Sequence, residues 1–527
     1  MTFTPPTIAW SSLTPMLLVL GAGVVGVLIE SFVSRRYRSK AQMLVSFLGL
    51  LAALVALASR WSVLTQDSGN GEVFGVRIAG GFIEDPFGVL GQFIIVCITL
   101  LALLVMGDHT SAADGAFAAQ SADRPGSAEE TESLRAGFFT TEIYPLTLFS
   151  AGGMMLFPMV DNLIALFVVL EIISLPLYIM AATARHRRML SQEAALKYFV
   201  LGAFASGFLL MGSAFLYGFS GSVEYATIYK VIVNPMGLES FQWLLVVGMV
   251  MVTVGLLFKI AAVPFHAWSP DVYQGAPTPI TGFMAAGVKA AAFLALLRFY
   301  GVVVFINTDT IHWFMWGVAI LTMLTGTVVG LVQRDIKRML AYSAIAHAGF
   351  MLIGVIAFNE LSIEGILFYA LVYGVATVGA FGIITLVREN HEGAPGAEAT
   401  SIDAYRGLGK TNPFLATCMM IFLLSFAGVP LTAGFIGKFE VFSAGVAGGA
   451  WELVVLAIIC SAATAFFYMR LLVLMFFSEP VEGNRLVVES TGATSAAIAI
   501  AAAATIILGV VPQPFIELGR LAVMLVG

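Results

Sequence analysis

The sequence predicts an all-α, polytopic membrane protein of about 14 transmembrane helices. Of its 527 residues, 59% are hydrophobic and 11% are charged, whereas soluble domains carry about 25% charged residues. Apolar runs of about 20 residues, the length that crosses a bilayer, recur along the whole chain. The sequence has no basic patch and no nucleic-acid motif, so we exclude nucleic acid as a partner and expect the lipid bilayer instead.

The predicted spans are separated by short polar loops. No basic residue precedes the first span, which is long enough to cross a bilayer, so we expect an anchor and not a cleaved signal peptide. After the last span we expect a short interfacial helix in residues 512–527. The spans lie at about 14–33, 41–61, 86–106, 140–158, 162–184, 193–218, 241–263 with a bent continuation to 275, 279–304, 312–332, 339–358, 362–387, 413–446, 451–477 and 493–511.

Two loops differ from the others in composition. The segment 108–135 is rich in Ala, Ser, Gly and acidic residues, which predicts a disordered cytoplasmic insertion. The segment 72–84 alternates around Gly80 and Gly81 and fits either a small external hairpin or a plain loop.

The distribution of Lys and Arg among the loops predicts the orientation of the chain. Alternate loops hold most of these residues, and the positive-inside rule makes their face cytoplasmic. An even number of spans then places both termini on the outer face. The cytoplasmic residues are Arg35, Arg36, Arg38, Lys40, Arg124, Arg135, Arg185, Arg187, Arg188, Arg334, Lys337, Arg338, Arg388, Arg406, Lys410 and Arg485.

Prolines interrupt two of the apolar helices within similar phrases, and a lysine lies near each interruption. The first phrase begins at Lys259 and contains Pro264. The second contains Pro430 and is followed by Lys438. A helix broken at membrane depth must direct its freed backbone groups toward protein or a water-filled cavity, so both interruptions suggest an ion path.

The two interruptions also predict an internal repeat. The helix with Pro264 enters from the outer side and the helix with Pro430 enters from the cytoplasm, so the second unit must be inverted. We therefore expect two inverted five-helix repeats, at 140–304 and 312–477, each with one broken helix. A three-helix segment, 1–139, precedes them, and a C-terminal helix with its tail, 491–527, follows.

Three ionisable residues deep within predicted spans of the first repeat are candidates for an ion path. A charged side chain at a helix centre costs about 2.5–3.5 kcal/mol on insertion scales, so each one suggests a function. Lys259 ends a half-helix, where the helix dipole favours a cation, and Lys289 follows Pro279 by about 15 Å of helix. Glu171 needs a partner, and we expect Lys259. Snorkelling of Lys259, or a static ion pair that only orders the bundle, remain alternatives.

Three further residues are candidates for the same path. Lys438 lies in the second half of the broken helix of the second repeat. His347 lies mid-span, and because an unperturbed imidazole titrates at about pH 6.5 it suits a proton relay. A hydrogen-bonded structural histidine fits His347 as well. Lys197 is close to the cytoplasmic end of its span, where snorkelling is an equal alternative.

The cysteines Cys97, Cys418 and Cys460 lie inside apolar runs and form no CxxC pair. They therefore offer no ligand set for an iron–sulfur cluster, a c-type haem or zinc. We expect them to be small buried hydrophobic side chains.

Five stretches of the chain are distinctive. They read LEIISLPLY at 170–178, ALKYFVLGAFAS at 195–206, PFHAWSPDVYQGAPTP at 264–279, DIKRMLAYSAIAH at 335–347 and GFIGKF at 434–439. With them the sequence resembles the antiporter-like, proton-pumping membrane subunits of respiratory complex I, the proton-translocating NADH:quinone oxidoreductase. The resemblance covers nearly the whole chain, and the stretch Trp268–Pro279 is quite specific within this group.

The resemblance implies a 14-helix fold with two inverted five-helix repeats. It also implies that proton translocation uses a glutamate, lysines on helices of both repeats and a central histidine. In this sequence the matching residues are Glu171, Lys259, Lys289, His347 and Lys438, with Lys197 as a further candidate.

The resemblance also implies where the redox chemistry lies. This chain is expected to bind no cofactor, whereas NAD, FMN, iron–sulfur clusters and quinone belong to other subunits of the complex. That expectation agrees with the absence of a dinucleotide-binding fingerprint in the sequence. The implied partners are the other membrane-arm subunits, and the implied location is the bacterial plasma (inner) membrane with both termini periplasmic.

The main prediction is therefore a membrane-arm subunit that couples electron transfer from NADH to quinone, in partner subunits, to proton pumping through buried Glu, Lys and His residues. One alternative is a subunit of a related cation/proton antiporter, against which Trp268–Pro279 argues. The other is a purely structural arm subunit whose charges only hold the bundle together.

Overall fold

The structure of the chain, a computed structural model, consists almost entirely of α-helices. It describes residues 8–66, 75–78, 81–108, 115–120, 123–124, 127–136, 140–235, 237–305, 308–391, 394–480, 485–490 and 492–522. The helices are α1 (Trp10–Phe32), α2 (Arg35–Gln66), α3 (Pro86–Met106), α4 (Ala128–Arg135), α5 (Ile143–Leu156), α6 (Leu163–Ala181), α7 (Arg188–Ser220), α8 (Tyr225–Val233), α9 (Gln242–Ile260), α10 (Trp268–Gly275), α11 (Thr278–Phe283), α12 (Lys289–Phe299), α13 (Thr308–Leu331), α14 (Ile336–Ala357), α15 (Glu360–Leu386), α16 (Leu408–Thr411), α17 (Pro413–Ala427), α18 (Ala433–Ala447), α19 (Trp451–Phe477), α20 (Ala493–Val510) and α21 (Gln513–Ala522).

Twelve of the described helices are long and apolar enough to cross a membrane, judged by length and composition. Two shorter apolar segments, Ile143–Met159 and Pro413–Ala427, coincide with two further predicted spans. The prediction of an all-helical, polytopic membrane protein is therefore confirmed. The exact number of helices that cross the bilayer, and the inverted relation of the two repeats, stay predictions.

Short strands lie in loops between the helices. β1 (Val76–Ile78) and β2 (Phe82–Glu84) pair in antiparallel fashion, so a hairpin forms in the described part of segment 72–84. β3 (Val387–His391), β4 (Ala394–Glu398) and β5 (Arg485–Val487) form a sheet in the order β4-β3-β5. The sequence did not predict this sheet, because β5 lies far along the chain from its partner β3.

The segment 108–135 is folded in the residues that the structure describes, so the expectation of disorder is wrong there. Its residues Ala128–Arg135 form α4, and Glu130 Oε1 lies 3.0 Å from Arg185 Nε in an ion pair. The backbone of Phe117 pairs with the loop after α6. These contacts with the bundle order the segment, and composition alone does not reveal them. Residues 109–114, 121–122 and 125–126 lie outside the described residues.

The two expected helix interruptions lie near the prolines that predicted them. α9 ends at Ile260, and helix resumes at α10 beyond Pro264. α17 ends at Ala427, and α18 begins at Ala433, beyond Pro430. Because proline lacks an N–H group and its ring clashes with the preceding turn, neither helix continues through. In each interrupted helix, the backbone carbonyl groups in the last turn before the interruption have no intrahelical donor and can accept other hydrogen bonds.

The centre of the bundle consists of α15 and the continuous span Thr278–Val304. The most apolar part of each is completely buried inside the protein, whereas less than half of that part is buried in α2, α7 and α19. α15 packs against α3, α14, α17, α18, α20 and α21. Residues on the two central helices are therefore shielded from lipid, and the outer helices present their apolar side chains to it. The expected C-terminal interfacial helix corresponds to α21.

A buried ion pair joins α3 to the span Thr278–Val304. Asp85 caps the N-terminus of α3 by accepting a hydrogen bond from the backbone N–H of Gly88 at 2.7 Å. Nη2 of Arg298 lies 2.9 Å from Oδ1 and 2.8 Å from Oδ2 of Asp85. Arg298 Nε also donates to the carbonyl of Pro158 at 2.5 Å. Asp85 is fully buried, so its charge depends on this single cation.

Replacing Arg298 with Ala should destabilise the fold by about 3–5 kcal/mol, because a buried carboxylate is left without its cation. The measurement is the denaturation temperature of the protein in detergent, together with the amount of folded protein recovered. Arg77→Ala is the matched control, since Arg77 is 53% exposed in its ion pair with Asp161 and should cost about 0–1 kcal/mol. Equal effects of the two variants would contradict the prediction.

Candidate functional site

The first part of the site lies between α6, α7 and α9. Glu171, on α6, is half-buried, and its Oε1 accepts a hydrogen bond from the hydroxyl of Ser206 on α7. Lys259, in the last turn of α9, is 2% exposed, and its Nζ donates to Ser174 Oγ at 2.6 Å. We expected a direct ion pair between Glu171 and Lys259. In this structure each of the two charged groups forms a hydrogen bond with a serine instead.

Aromatic rings surround the ammonium group of Lys259. Its Nζ lies 5.6 Å from the ring centre of Tyr178 and 5.2 Å from that of Tyr198, within range of cation–π attraction. Tyr198 stacks on Trp268 with ring centres 4.8 Å apart, and Trp268 Nε1 donates to the carbonyl of Phe258 at 2.9 Å. Because the helix is interrupted at Pro264, α10 can fold back, and its Trp268 packs against the Tyr198 ring beside Lys259.

The second part of the site lies at the bundle centre, around Lys289. This residue is 4% exposed and follows a π-helical turn, Met284–Val288, within its span. Its Nζ donates to the carbonyl of Ala344 on α14 at 2.5 Å. Lys289 also lines a cavity of about 10 Å³ together with His347 and Tyr373. That volume is at the lower limit of what one water molecule needs.

His347 is 2% exposed and is held by two tyrosines. Its Nδ1 lies 2.6 Å from the hydroxyl of Tyr369 on α15, and its Nε2 lies 3.2 Å from that of Tyr468 on α19. Tyr468 in turn contacts the hydroxyl of Ser343, one turn before His347 on α14. A neutral imidazole donates through one nitrogen and accepts through the other, so His347 can pass a proton between these partners.

Lys438 lies at the second helix interruption and is 5% exposed. Its Nζ donates to the carbonyls of Phe426 at 2.8 Å and Ala427 at 3.0 Å, both at the C-terminus of α17. Ser461 Oγ on α19 accepts a third hydrogen bond at 2.8 Å. The interruption therefore supplies the acceptors of this lysine, and the negative end of the α17 dipole favours its positive charge.

Lys197 lies apart from the other candidates. Its side chain is 40% exposed, and its Nζ lies 2.6 Å from both Asp271 and Glu193. Asp271 also pairs with Arg338 at 2.7 Å. The structure thus brings Glu171 near Lys259, and Lys289 near His347, whereas Lys197 belongs to a partly exposed charge cluster near the N-terminus of α7.

Sequence reasoning missed two buried cations, which it counted among the loop residues. Lys337 is 3% exposed and donates to the carbonyl of Ala276 at 2.7 Å. Arg388 is fully buried, with Nη1 3.7 Å from Oε2 of Glu398. Burial would raise the pKa of the Glu398 carboxyl, but the charges of Arg388 and Lys337 lower it. Both cations flank helix ends, so nothing in the local sequence distinguishes them from exposed loop residues.

Within the part of the chain that the structure describes, no group of three or more His, Cys, Asp and Glu side chains is arranged to hold a metal ion. Cys418 and Cys460 are buried and Cys97 is partly buried, and all three are free thiols. What the described site offers is a set of protonatable groups in an apolar interior.

Comparisons with known proteins agree on one family. The family model described as NADH:quinone oxidoreductase/Mrp antiporter, TM matches residues 160–466, which include every candidate site residue. NADH-quinone oxidoreductase subunit N of Beutenbergia cavernae is 50% identical, with 98% of each chain covered. The subunit N of Mycobacteroides abscessus is 47% identical, with 97% of each covered. A chain of respiratory complex I from Thermus thermophilus with bound aureothin has a TM-score of 0.73 and 30% identity, covering 95% of this chain and 98% of that one.

Replacing Gly434 with Ala should disrupt the second interruption, because a Cβ atom there would lie 1.9 Å from the carbonyl oxygen of Ser425. Overpacking of this kind costs about 1–3 kcal/mol or more, and α18 would shift with its lysine. The denaturation temperature of the native complex tests this. Gly317→Ala, where no atom lies within 4 Å of the added Cβ, should be neutral or slightly stabilising in helix α13. A neutral Gly434→Ala would contradict the prediction.

Proposed function

This chain belongs to the NADH:quinone oxidoreductase/Mrp antiporter family, among the N subunits of NADH-quinone oxidoreductase, and we propose that Glu171, Lys259, Lys289, His347 and Lys438 carry protons through it. It is a subunit of an oxidoreductase complex and a multi-pass membrane protein. The subunit couples electron transfer from NADH to quinone, in its partners, to proton movement across the membrane.

One observation supports the proposal most directly. The residues Lys259, Lys289 and Lys438 are at most 5% exposed, and hydroxyl or carbonyl oxygens accept the described hydrogen bonds of their ammonium groups. A cation buried without a contacting carboxylate is costly in its charged form and is easily neutralised. Such a group gains and loses a proton with a small free-energy change, which is what a proton relay requires.

The proposed route follows these residues in order. Water from the cytoplasm protonates the buried lysines, and a signal from a neighbouring subunit changes the interaction of Glu171 with Lys259. The proton then passes through Lys289, His347 and Lys438 and leaves on the outer side. The water-sized cavity shared by Lys289 and His347 supports the central step. Lys197, in its exposed cluster with Asp271, is a candidate for the cytoplasmic entrance.

The redox groups of the complex lie outside this role. We assign NAD, FMN, iron–sulfur clusters and quinone to other subunits, so that this chain alone catalyses no redox reaction. The other membrane-arm subunits are its partners, as in the respiratory complex I that it resembles. The location proposed is the bacterial plasma (inner) membrane, with both termini in the periplasm and the loop 108–135 in the cytoplasm.

The internal organisation proposed consists of two inverted five-helix units. The first, 140–304, contains the interruption at Pro264, and the second, 312–477, contains the interruption at Pro430. Residues 1–139 add three helices before them, and residues 491–527 add a helix and tail after them. Inverted units would explain why Lys259 and Lys438 each lie beside a helix interruption.

The antiporter alternative is not supported, because the relatives that cover nearly the whole chain are named as N subunits of NADH-quinone oxidoreductase.

The structural alternative makes a different prediction from ours. If the buried charges only order the bundle, their neutralisation should reduce assembly and leave the number of protons pumped per NADH unchanged.

Replacing Lys259 with Ala should abolish most coupled pumping and leave assembly intact, because the route loses a proton-binding group. Protons moved per NADH oxidised are measured in inside-out vesicles that carry the native complex. Lys289→Ala and Lys438→Ala should behave in the same way. Lys410→Ala is the control, since that lysine is 49% exposed and pairs with Glu479. Normal pumping by an assembled Lys259→Ala complex would rule the scheme out.

Glu171→Gln separates translocation from a structural role, because it keeps the shape of the side chain and removes its charge. We expect a lower number of protons per NADH at an unchanged amount of assembled complex. Glu452→Gln, an exposed carboxylate at the start of α19, serves as control. An unchanged proton number with less assembled complex would favour the structural alternative.

A further inference from the structure

Two serines, which the sequence did not single out, form hydrogen bonds with the opposite charges of Glu171 and Lys259. Ser174 follows Glu171 by three residues on α6, so both side chains lie on the same side of that helix. Ser174 Oγ accepts the hydrogen bond from Lys259 Nζ at 2.6 Å and donates its own proton to the carbonyl of Leu170. Ser206, on α7, donates its proton to Oε1 of Glu171.

The hydrogen bonds of Ser174 lie inside the protein, and the hydrogen bond from Ser206 to the half-buried Glu171 is partly buried. Ser174 is fully buried, Ser206 is 5% exposed and Lys259 is 2% exposed. A buried ammonium group that loses its acceptor pays its desolvation penalty in full. Lys259 must therefore keep a hydrogen bond at this site, to Ser174, to Glu171 or to water, or give up its proton.

We infer that Ser174 and Ser206 are positioning residues that hold Glu171 and Lys259 apart and so make the separated arrangement a stable state. In that arrangement Ser174 satisfies the ammonium group and Ser206 satisfies the carboxylate. In the paired arrangement the two charged groups satisfy each other. Each arrangement leaves no buried charge without a partner, so the free-energy gap between them is small enough for a neighbouring subunit to shift. The inference rests on the proposed function.

The geometry of Ser206 differs from that of an ordinary serine in a membrane helix. Buried serines commonly donate to the carbonyl four residues earlier in their own helix. Ser213, two turns beyond Ser206 on α7, does so by donating to Leu209 at 2.8 Å, and it is 2% exposed. Ser206 instead directs its proton to a carboxylate on another helix. Ser213 is therefore a matched control: the same residue type on the same helix, with no charged partner.

The test compares Ser174→Ala, Ser206→Ala, Ser174→Thr and Ser213→Ala in the native complex. For both alanine variants at Ser174 and Ser206 we expect a loss of protons per NADH comparable with that of Glu171→Gln, at an unchanged NADH oxidation rate with uncoupler. Ser174→Thr keeps a hydroxyl group and should keep pumping. Ser213→Ala should match the unmodified complex. If Ser174→Ala reduces assembly, Ser206→Ala measured in the same way decides the question.

Normal proton numbers in both Ser174→Ala and Ser206→Ala would overturn the inference. A loss of pumping in Ser174→Thr as large as in Ser174→Ala would also overturn it, since the hydroxyl would then be irrelevant. The proposed function fails separately, through normal pumping by Lys259→Ala. Loss of pumping in Lys259→Ala beside normal pumping in both serine variants would leave the function intact and reject only the serine roles.

Discussion

Hydrogen bonds from buried ammonium groups to uncharged oxygen atoms are the interactions on which the rest of this structure depends. Removing a lysine from water into a bundle of apolar helices is unfavourable, and each buried lysine must find acceptors inside the protein. Lys259 uses a hydroxyl group, Lys289 uses a backbone carbonyl and Lys438 uses both kinds of group. Neutral acceptors satisfy the hydrogen bonds without fixing the charge, so the protonated state stays adjustable.

The helix interruptions follow from the same requirement. In a continuous helix the carbonyl groups already accept intrahelical hydrogen bonds, and a second bond such as that from Lys289 to Ala344 is an addition, whereas the carbonyls at a helix end have no intrahelical donor. At Pro430 the break exposes the carbonyls of Phe426 and Ala427 to Lys438 in the interior. At Pro264 the break has another use, because it lets Trp268 stack on Tyr198 beside Lys259. Similar sequence phrases thus produce two different local environments.

Neighbouring helices also position the ionisable side chains at the centre of the bundle. α15 is completely buried along its apolar part and supplies Tyr369 to His347. The outer helix α19 supplies Tyr468 from the other side of the imidazole and Ser461 to Lys438. His347 is therefore positioned by the next helix along the chain and by α19, whose Tyr468 lies 121 residues away, and a water-sized cavity lies between His347 and Lys289. The two hydrogen bonds of the imidazole and a small cavity bordered by Lys289 and His347 occur together at the bundle centre.

The sequence by itself determined the membrane class, the approximate spans, both interruptions and the ionisable residues within the helices. These follow from apolar run length, from proline and from the rarity of charge in hydrocarbon, all of which are local properties. Only the tertiary structure decided which groups form hydrogen bonds with these ionisable residues. Ser174 lies 85 residues before Lys259, and Ala344 lies 55 residues after Lys289, so no local pattern connects them. The tertiary structure also decided that Lys337 and Arg388 are buried. Side chains near helix ends face water or protein according to how the neighbouring helices pack.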